Sequence, residues 1–373
     1  MKLAVLTGEP SGDLLAEAAV KALRGRHPEL ELIGLGGEGL ARAGLRSRYP
    51  LAGFAVNGLV EALPHVPRLL MRIEQLTRWL LREQPDVVLT VDAPDLTLRI
   101  ARALRRRGYE GKLVHLVAPT VWAWRPERAT AIADYLDQLL CLFPFDPALF
   151  EAHGLPSHFV GHPALDRPLP AAARQADTLM LLPGSRMSEV RALTPLFRDT
   201  VRRLRSEHPA LQCLVPTVET TRSFVTRRMA DWPTPIEFLF RPEDKADAFA
   251  RATVALAASG TVALELAKAG VAGVITYRLS PATFRALQRQ SSLHHFSLIN
   301  ILADAEIMPE RLQQDATPDR LATEVGRLLR DQTARAQQLA AQHHALSSLA
   351  LPSGTTTANL IADHVDSLLG RSK

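Results

Sequence analysis

The sequence predicts an α/β protein built from two Rossmann-like domains. Short apolar strands alternate with helical stretches along nearly the whole chain. The alternation is interrupted once near the middle, and turns bearing glycine recur between a strand and the helix after it. Such alternation implies parallel sheets covered by helices on both faces, with ligands beyond the carboxyl ends of the strands. A length of 373 residues suits two domains better than one core.

In the first half, strands are expected at Lys2–Thr7, Glu31–Leu35, Val87–Val91, Leu113–Val117 and Gln138–Leu142. Helices fall between them at Leu14–Arg24, Glu38–Ala43, Val66–Glu83, Asp95–Arg107 and Pro126–Tyr135. Pro163–Asp177, with three prolines, a run of alanines and no strand signal, reads as the linker. The second half alternates again: Thr178–Leu182, Thr194–Glu207, Leu211–Val215, Glu219–Met229, Ile236–Phe240, Lys245–Arg251, Thr253–Ala257, Val262–Ala269 and Val271–Thr276. A long helix is expected at Asp319–Ala345 and a last one at Thr355–Leu369, separated by Leu351-Pro352-Ser353-Gly354. Two such halves facing each other across a cleft is the expected architecture, with domains at 1–168 and 175–345.

Composition narrows the partners. The net charge is +5 and the pI is near 9.5, which favours anionic ligands or surfaces. Aromatic residues make up only 5%, and no basic stripe is interleaved with stacking residues, so no nucleic acid is expected. Cys141 and Cys213 sit in apolar runs and read as buried thiols. Met1 runs straight into a strand without a signal peptide, and no stretch of about 18 apolar residues spans a bilayer. His294-His295 lack metal-ligand spacing, and no H-E-x-x-H or C-x-x-C pattern exists, so no metal is expected.

Two turns in the second half point to a nucleotide. Leu181-Leu182-Pro183-Gly184-Ser185-Arg186 closes one apolar strand, and Ala258-Ser259-Gly260-Thr261 closes another; each opens a helix. Such a turn presents backbone N–H groups and the positive end of a helix dipole to an anion. Arg186 adds a planar cationic fork suited to phosphate oxygens. Glu265, one turn into the second helix, can take two ribose hydroxyls. Either turn alone is equally well explained by tight strand–helix packing. Together they favour a nucleoside diphosphate.

Three features of the first half carry chemistry. Thr7-Gly8-Glu9-Pro10-Ser11-Gly12-Asp13 follows the first strand, and Ser11 or Asp13 is expected to cap the helix it opens. Asp92 ends a strand ahead of Ala93-Pro94; with Asp95 expected as the helix cap, Asp92 is left as the candidate general base. Trp122 and Trp124, beside Pro119 and Arg125, either fill a core corner or wall a cleft for an amphipathic ligand. Gly34-x-Gly36-x-x-Gly39 matches a dinucleotide fingerprint but follows the second strand rather than the first. On Val66–Glu83, Leu69, Ile73, Leu76 and Leu80 form one face and Arg68, Arg72, Arg78 and Arg82 surround it. That pattern suits a docked helix or a membrane-surface helix.

These pieces stand in the order found in the lipid-A-disaccharide synthase family, which the chain resembles over nearly its whole length. The matching residues are Gly8–Asp13, Gly58-Leu59-Val60-Glu61, Asp92-Ala93-Pro94-Asp95, Pro119–Arg125 and Phe143-Pro144-Phe145. They continue through Phe159–Pro163, Leu181–Arg186, Ser259-Gly260-Thr261, Tyr277-Arg278 and Asn300-Ile301-Leu302 to Pro309-Glu310. Asn57, Phe143, Asp146 and Ser297-Leu298-Ile299 depart from the family pattern.

The resemblance implies a GT-B glycosyltransferase whose last helix, 355–373, crosses back to the first domain. It implies an inverting transfer from UDP-2,3-diacylglucosamine to 2,3-diacylglucosamine 1-phosphate, giving a β-1′,6-linked disaccharide 1-phosphate and UDP. No cofactor and no metal are expected. Asp92 would be the catalytic base, and Gly184, Ser185, Arg186, Ser259, Gly260, Thr261, Glu265, Tyr277 and Asn300 would hold UDP. Glu9, Ser11, Gly12, Trp122 and Trp124 would meet the acceptor. The family's enzymes act peripherally at the cytoplasmic face of the inner membrane, and some are homodimers. Other readings stay open: a UDP-sugar 2-epimerase on the same fold, a non-catalytic UDP-sugar-binding protein, and a nicotinamide oxidoreductase built on Gly34–Gly39.

Overall fold

The computed structural model describes residues 1–51, 66–121, 127–166, 174–278, 284 and 294–370. The chain divides into two compact units, the first made of Met1–Asp166 with Leu351–Lys373 and the second of Arg167–Ala350.

Unit 1 holds six strands: β1 (Lys2–Thr7), β2 (Glu31–Leu35), β3 (Val87–Val91), β4 (Lys112–Leu116), β5 (Gln138–Cys141) and β6 (Ser157–Phe159). They form one all-parallel sheet in the order β2-β1-β3-β4-β5-β6. The described helices of this unit are α1 (Pro10–Arg26), α2 (Glu38–Arg42), α3 (Val66–Glu83), α4 (Pro94–Arg106), α5 (Arg128–Ala133), α6 (Asp146–Glu151), α7 (Pro163–Asp166) and α15 (Thr357–Leu369). Alternate residues of each strand enter opposite cores. Ala4, Leu6 and Val88 pack with Leu76, Leu80, Ile100 and Leu104 of α3 and α4. Leu3, Val5, Val87 and Leu89 pack with α1 and α15.

The last helix does belong to unit 1. Its Ile361, Ala362, Val365 and Leu369 are buried beside Ala16, Val20 and Leu23 of α1. Arg26 bonds Asp363 at 2.6 Å and His27 Nε2 lies 2.7 Å from Asp366, which fixes the register of the two helices.

Unit 2 holds β7 (Thr178–Leu182), β8 (Gln212–Pro216), β9 (Ile236–Leu239), β10 (Val254–Ala258), β11 (Ala272–Tyr277) and β12 (Glu310–Leu312). Its helices are α8 (Met187–Glu207), α9 (Glu219–Met229), α10 (Pro242–Arg251), α11 (Val262–Lys268), α12 (Leu298–Ala303), α13 (Pro318–Arg330) and α14 (Gln332–Ser347). The sheet is again parallel, in the order β12-β11-β10-β7-β8-β9.

Three expectations need correction. Pro163–Asp166, placed in the linker, is a helical turn whose Asp166 accepts the Thr357 N–H at 3.0 Å. The long helix expected from Asp319 is two helices broken at Asp331. That residue is extended at φ −95°, ψ 102°, and its carboxylate caps α14 by accepting the Ala334 N–H at 2.9 Å. Strands β6 and β12 were not foreseen; each has three residues, too short to show a period of two.

Candidate active site

In an open parallel sheet, ligands gather where the strand order reverses, outside the carboxyl ends of the two strands that flank the reversal. In unit 1 those strands are β1 and β3, and in unit 2 they are β7 and β10. The turns singled out in the sequence leave these four strands: Gly8–Asp13 from β1, Asp92 from β3, Gly184–Arg186 from β7 and Ser259–Thr261 from β10.

At the unit 1 reversal, Asp92 and Ala93 both adopt left-handed backbone, with φ of 51° and 45°. Val117, after β4, does so at φ 78°. Such conformations cost non-glycine residues of order 1–3 kcal/mol each and persist only where neighbours hold them. The holding contacts are the Asp92 N–H on the Leu116 carbonyl at 3.0 Å and Thr97 Oγ1 donating to the Asp92 carbonyl at 2.6 Å. The glycines of the first turn make room for this strained pair. A Cβ on Gly8 would lie 2.5 Å from the Ala93 Cβ, and one on Gly12 would lie 3.3 Å from the Asp92 Cβ. Asp92 is half-buried, and its carboxylate has no hydrogen-bond partner among the described residues. Glu9 and Ser11 are exposed on the same turn.

The caps foreseen here are replaced. Helix α1 starts after Glu9, and neither Ser11 nor Asp13 caps it. Asp13 is buried and turns to α2, accepting the N–H groups of Gly37 at 2.6 Å and Gly39 at 2.7 Å. The fingerprint-like turn Gly34–Gly39 is thus closed by the protein's own carboxylate. Helix α4 starts after Ala93 rather than Asp95, whose carboxylate faces Arg128 at 3.4 Å. Trp122, Trp124, Arg125 and Gly58–Glu61 lie outside the described residues.

His115 is buried on β4, with Nδ1 2.9 Å from Thr90 Oγ1; burial pushes its pKa down to about 3. Thr90 Oγ1 also lies 3.0 Å from the Val114 carbonyl.

At the unit 2 reversal the two turns differ. Ser259 Oγ donates to the Phe296 carbonyl at 3.0 Å, Gly260 has φ +146°, and Thr261 is exposed. The N–H groups of Gly260, Thr261 and Val262 have no acceptor among the described residues, leaving this turn open to an anion. Glu265 Oε2 accepts from Lys245 Nζ at 2.9 Å, a cation that the sequence reading did not place here. At the first turn, Glu189 Oε2 accepts the N–H groups of Ser185 at 3.2 Å and Arg186 at 3.3 Å. Tyr277 donates its hydroxyl to Glu189 Oε1 at 3.0 Å. Burial first, then the Glu189 carboxylate, pushes the Tyr277 pKa up to about 12. Glu189 was also missed, though Arg186-x-x-Glu189 has the spacing of a helix capping box.

Asn300, expected at the nucleotide, has its amide bonded within the protein. It is buried; Oδ1 accepts the N–H groups of Ile307 and Met308, and Nδ2 donates to the Met308 carbonyl and Glu310, all within 2.8–3.0 Å. A side-chain amide makes about that many bonds and no more. Glu310 also accepts from Phe296 and Ser297, so Asn300 braces the segment on which Ser259 rests.

A family model described as lipid-A-disaccharide synthetase matches residues 3–362. The chain belongs to the lipid-A-disaccharide synthase family. The Rhodospirillum centenum lipid-A-disaccharide synthase is 46% identical over 90% of this chain and 86% of its own length. The Paramagnetospirillum magneticum enzyme is 40% identical over 100% and 99%. Among solved structures, the Neisseria meningitidis UDP-GlcNAc 2-epimerase is similar with a TM-score of 0.63 at 11% identity, over 100% of each chain. Acinetobacter baumannii MurG gives 0.60 at 16%, over 99% of each. At such identities the structures speak for the fold, two Rossmann-like domains, and the family speaks for the activity. A lipid-A-disaccharide synthase is a hexosyltransferase of lipid A biosynthesis, and its substrates are a UDP-sugar donor and a sugar-phosphate acceptor.

Proposed function

We propose that this enzyme transfers diacylglucosamine from UDP to the 6-hydroxyl of 2,3-diacylglucosamine 1-phosphate, with inversion and without a metal. The observation that carries this reading is the placement of the turns at the two sheet reversals. Unit 2 takes UDP there: its open turn at Gly260–Val262 offers N–H donors, and Arg186, 66% exposed and 3.7 Å from Glu189 Oε1, offers a planar cationic fork. Glu265 with Lys245 meets the ribose side, and Tyr277 lies against the first turn. Unit 1 supplies Asp92, a carboxylate held by strained backbone with no hydrogen-bond partner among the described residues, which deprotonates the acceptor hydroxyl as it attacks the anomeric carbon. The bond from that carbon to the UDP oxygen breaks, and the charge arriving on the diphosphate is met by Arg186 and the N–H groups in the role a metal plays elsewhere. Gly12 borders Asp92, and Glu9, Ser11 and Gly12 of that turn contact the acceptor.

Because both substrates carry acyl chains, the enzyme works at a membrane surface, the cytoplasmic face of the inner membrane. Incubation with UDP-diacylglucosamine and the diacylated sugar 1-phosphate, with products read by mass, tests the reaction. A disaccharide 1-phosphate formed undiminished in EDTA is the expected result. Turnover of soluble UDP-N-acetylglucosamine to its 2-epimer instead would replace this reading.

A further inference from the structure

Four donors converge on one carboxylate at the first turn of unit 2. The N–H groups of Ser185 and Arg186 reach Glu189 Oε2 at 3.2 and 3.3 Å. The Tyr277 hydroxyl reaches Oε1 at 3.0 Å, and Arg186 Nη1 lies 3.7 Å from the same oxygen. Glu189 itself is only 12% exposed. Gly184 leaves it the space: at φ +106°, a Cβ there would fall 2.3 Å from Oε2. This is a basket for an anion, at the start of a 21-residue helix and at the reversal of the sheet, and a side chain of the protein occupies it. The backbone bonds are long for a charged acceptor, which commonly draws N–H donors to about 2.7–2.9 Å. The hold is therefore a loose one. The neighbouring turn at Gly260 has no such carboxylate among the described residues.

We propose that Glu189 is a positioning residue that stands in for the donor's diphosphate at this turn and leaves it when the nucleotide binds. Unliganded, it satisfies N–H groups that would otherwise be orphaned at the helix start and keeps Arg186 and Tyr277 near their working places. On binding, the diphosphate takes the Ser185 and Arg186 N–H groups, and the Glu189 carboxylate turns out toward solvent. Glu189 therefore competes with the ligand, and part of the binding free energy is spent on displacing it. The inference rests on the nucleotide site proposed above.

The test is calorimetric titration of the full-length protein and of Glu189→Gln and Glu189→Ala with UDP and with uridine. Both variants are expected to bind UDP about two- to fivefold more tightly, the worth of a charge at a helix N-terminus. Uridine, which has no phosphate, is expected to bind all three proteins alike. Thermal melts with and without UDP separate this effect from damage to the fold: the variants melt lower alone and gain more from UDP. UDP binding that is unchanged or weaker in both folded variants overturns the inference, for then the carboxylate stays in place or helps the ligand. A parent protein that fails to bind UDP overturns the nucleotide site itself, and this inference with it.

Discussion

The carboxylate of Asp92 and the guanidinium of Arg186 divide the proposed chemistry, and their settings differ in ways that can be measured separately. Asp92 stands on backbone that only its neighbours keep in place, with φ 51° followed by Ala93 at 45°. Asp92→Asn preserves shape and backbone while removing the base, so we expect an unchanged fold and unchanged UDP affinity with turnover lower by about 10²–10⁴. Single-turnover rates with saturating donor check this; a loss of only a few-fold would assign the base elsewhere. Arg186 is mostly exposed beside the Ser185 and Arg186 N–H groups. Arg186→Ala should weaken UDP binding by about 1.5–3 kcal/mol, the worth of charge-assisted contacts. Arg186→Lys should recover only part, because a point charge cannot span two oxygens. Equal UDP affinities for Arg186→Lys and the parent would show that the fork is not used.

At the scale of the elements, the strands were legible because parallel strands buried on both faces are short apolar runs, as in Val87-Val88-Leu89-Thr90-Val91. Their ends moved by a residue or so, and the glycine turns stayed where the sequence put them. What escaped was held by tertiary contacts. Asp13 and Asp95 carry cap chemistry, yet one serves a neighbouring helix and the other a salt bridge. Asn300 belongs to a matching motif, but its amide is consumed inside the protein, which no spacing reveals. Glu189 and Lys245 reach the site from one turn or more away in helices that also read as ordinary surface. Arg174 is a further case. It enters unit 2 after the linker and donates to the Phe249, Ala250 and Ala252 carbonyls at 2.6, 3.3 and 2.9 Å, and to those of Ala269 and Gly270. One cation thereby closes the carboxyl ends of α10 and α11, where helix dipoles favour positive charge. Arg174→Ala is expected to lower stability by about 1.5–3 kcal/mol, seen as an earlier urea transition, and Arg174→Lys to restore less than half. A transition at the parent's midpoint would make the clamp ornamental.

At the scale of the whole molecule, two properties follow from where groups are buried. The apolar stripe of α3 is core: Ile73, Leu76 and Leu80 are buried against unit 1. The stripe is thus that of a docked helix, one of the two readings its pattern allowed, and on the helix's outer side Leu70 and Met71 are 47% and 53% exposed ahead of Arg78 and Arg82. No described helix is long and apolar enough to cross a membrane. If this face meets the lipid, Leu70→Asp with Met71→Asp should weaken sedimentation with anionic vesicles while leaving UDP affinity unchanged; undiminished sedimentation would move the contact elsewhere. The second property is acid sensitivity. Burial holds the pKa of His115 near about 3 and that of His162 near about 4, against an ordinary value of 6.5, and both residues lie in unit 1. With the folded pKa below the unfolded one, the neutral rings cost nothing above pH 6.5. Below it the unfolded chain takes up protons that the folded chain refuses. Stability is thus full at neutral pH and falls as pH drops from about 6.5 toward 4, by about 2 kcal/mol per histidine at pH 5. Urea unfolding at pH 7.5 and pH 5 measures the loss. His115→Gln, which cannot be protonated, should lower stability at pH 7.5 yet remove about half of the histidine contribution to the pH dependence. A parent equally stable at both pH values, or a variant with the parent's full slope, would mean that His115 is not the buried neutral ring its contacts describe.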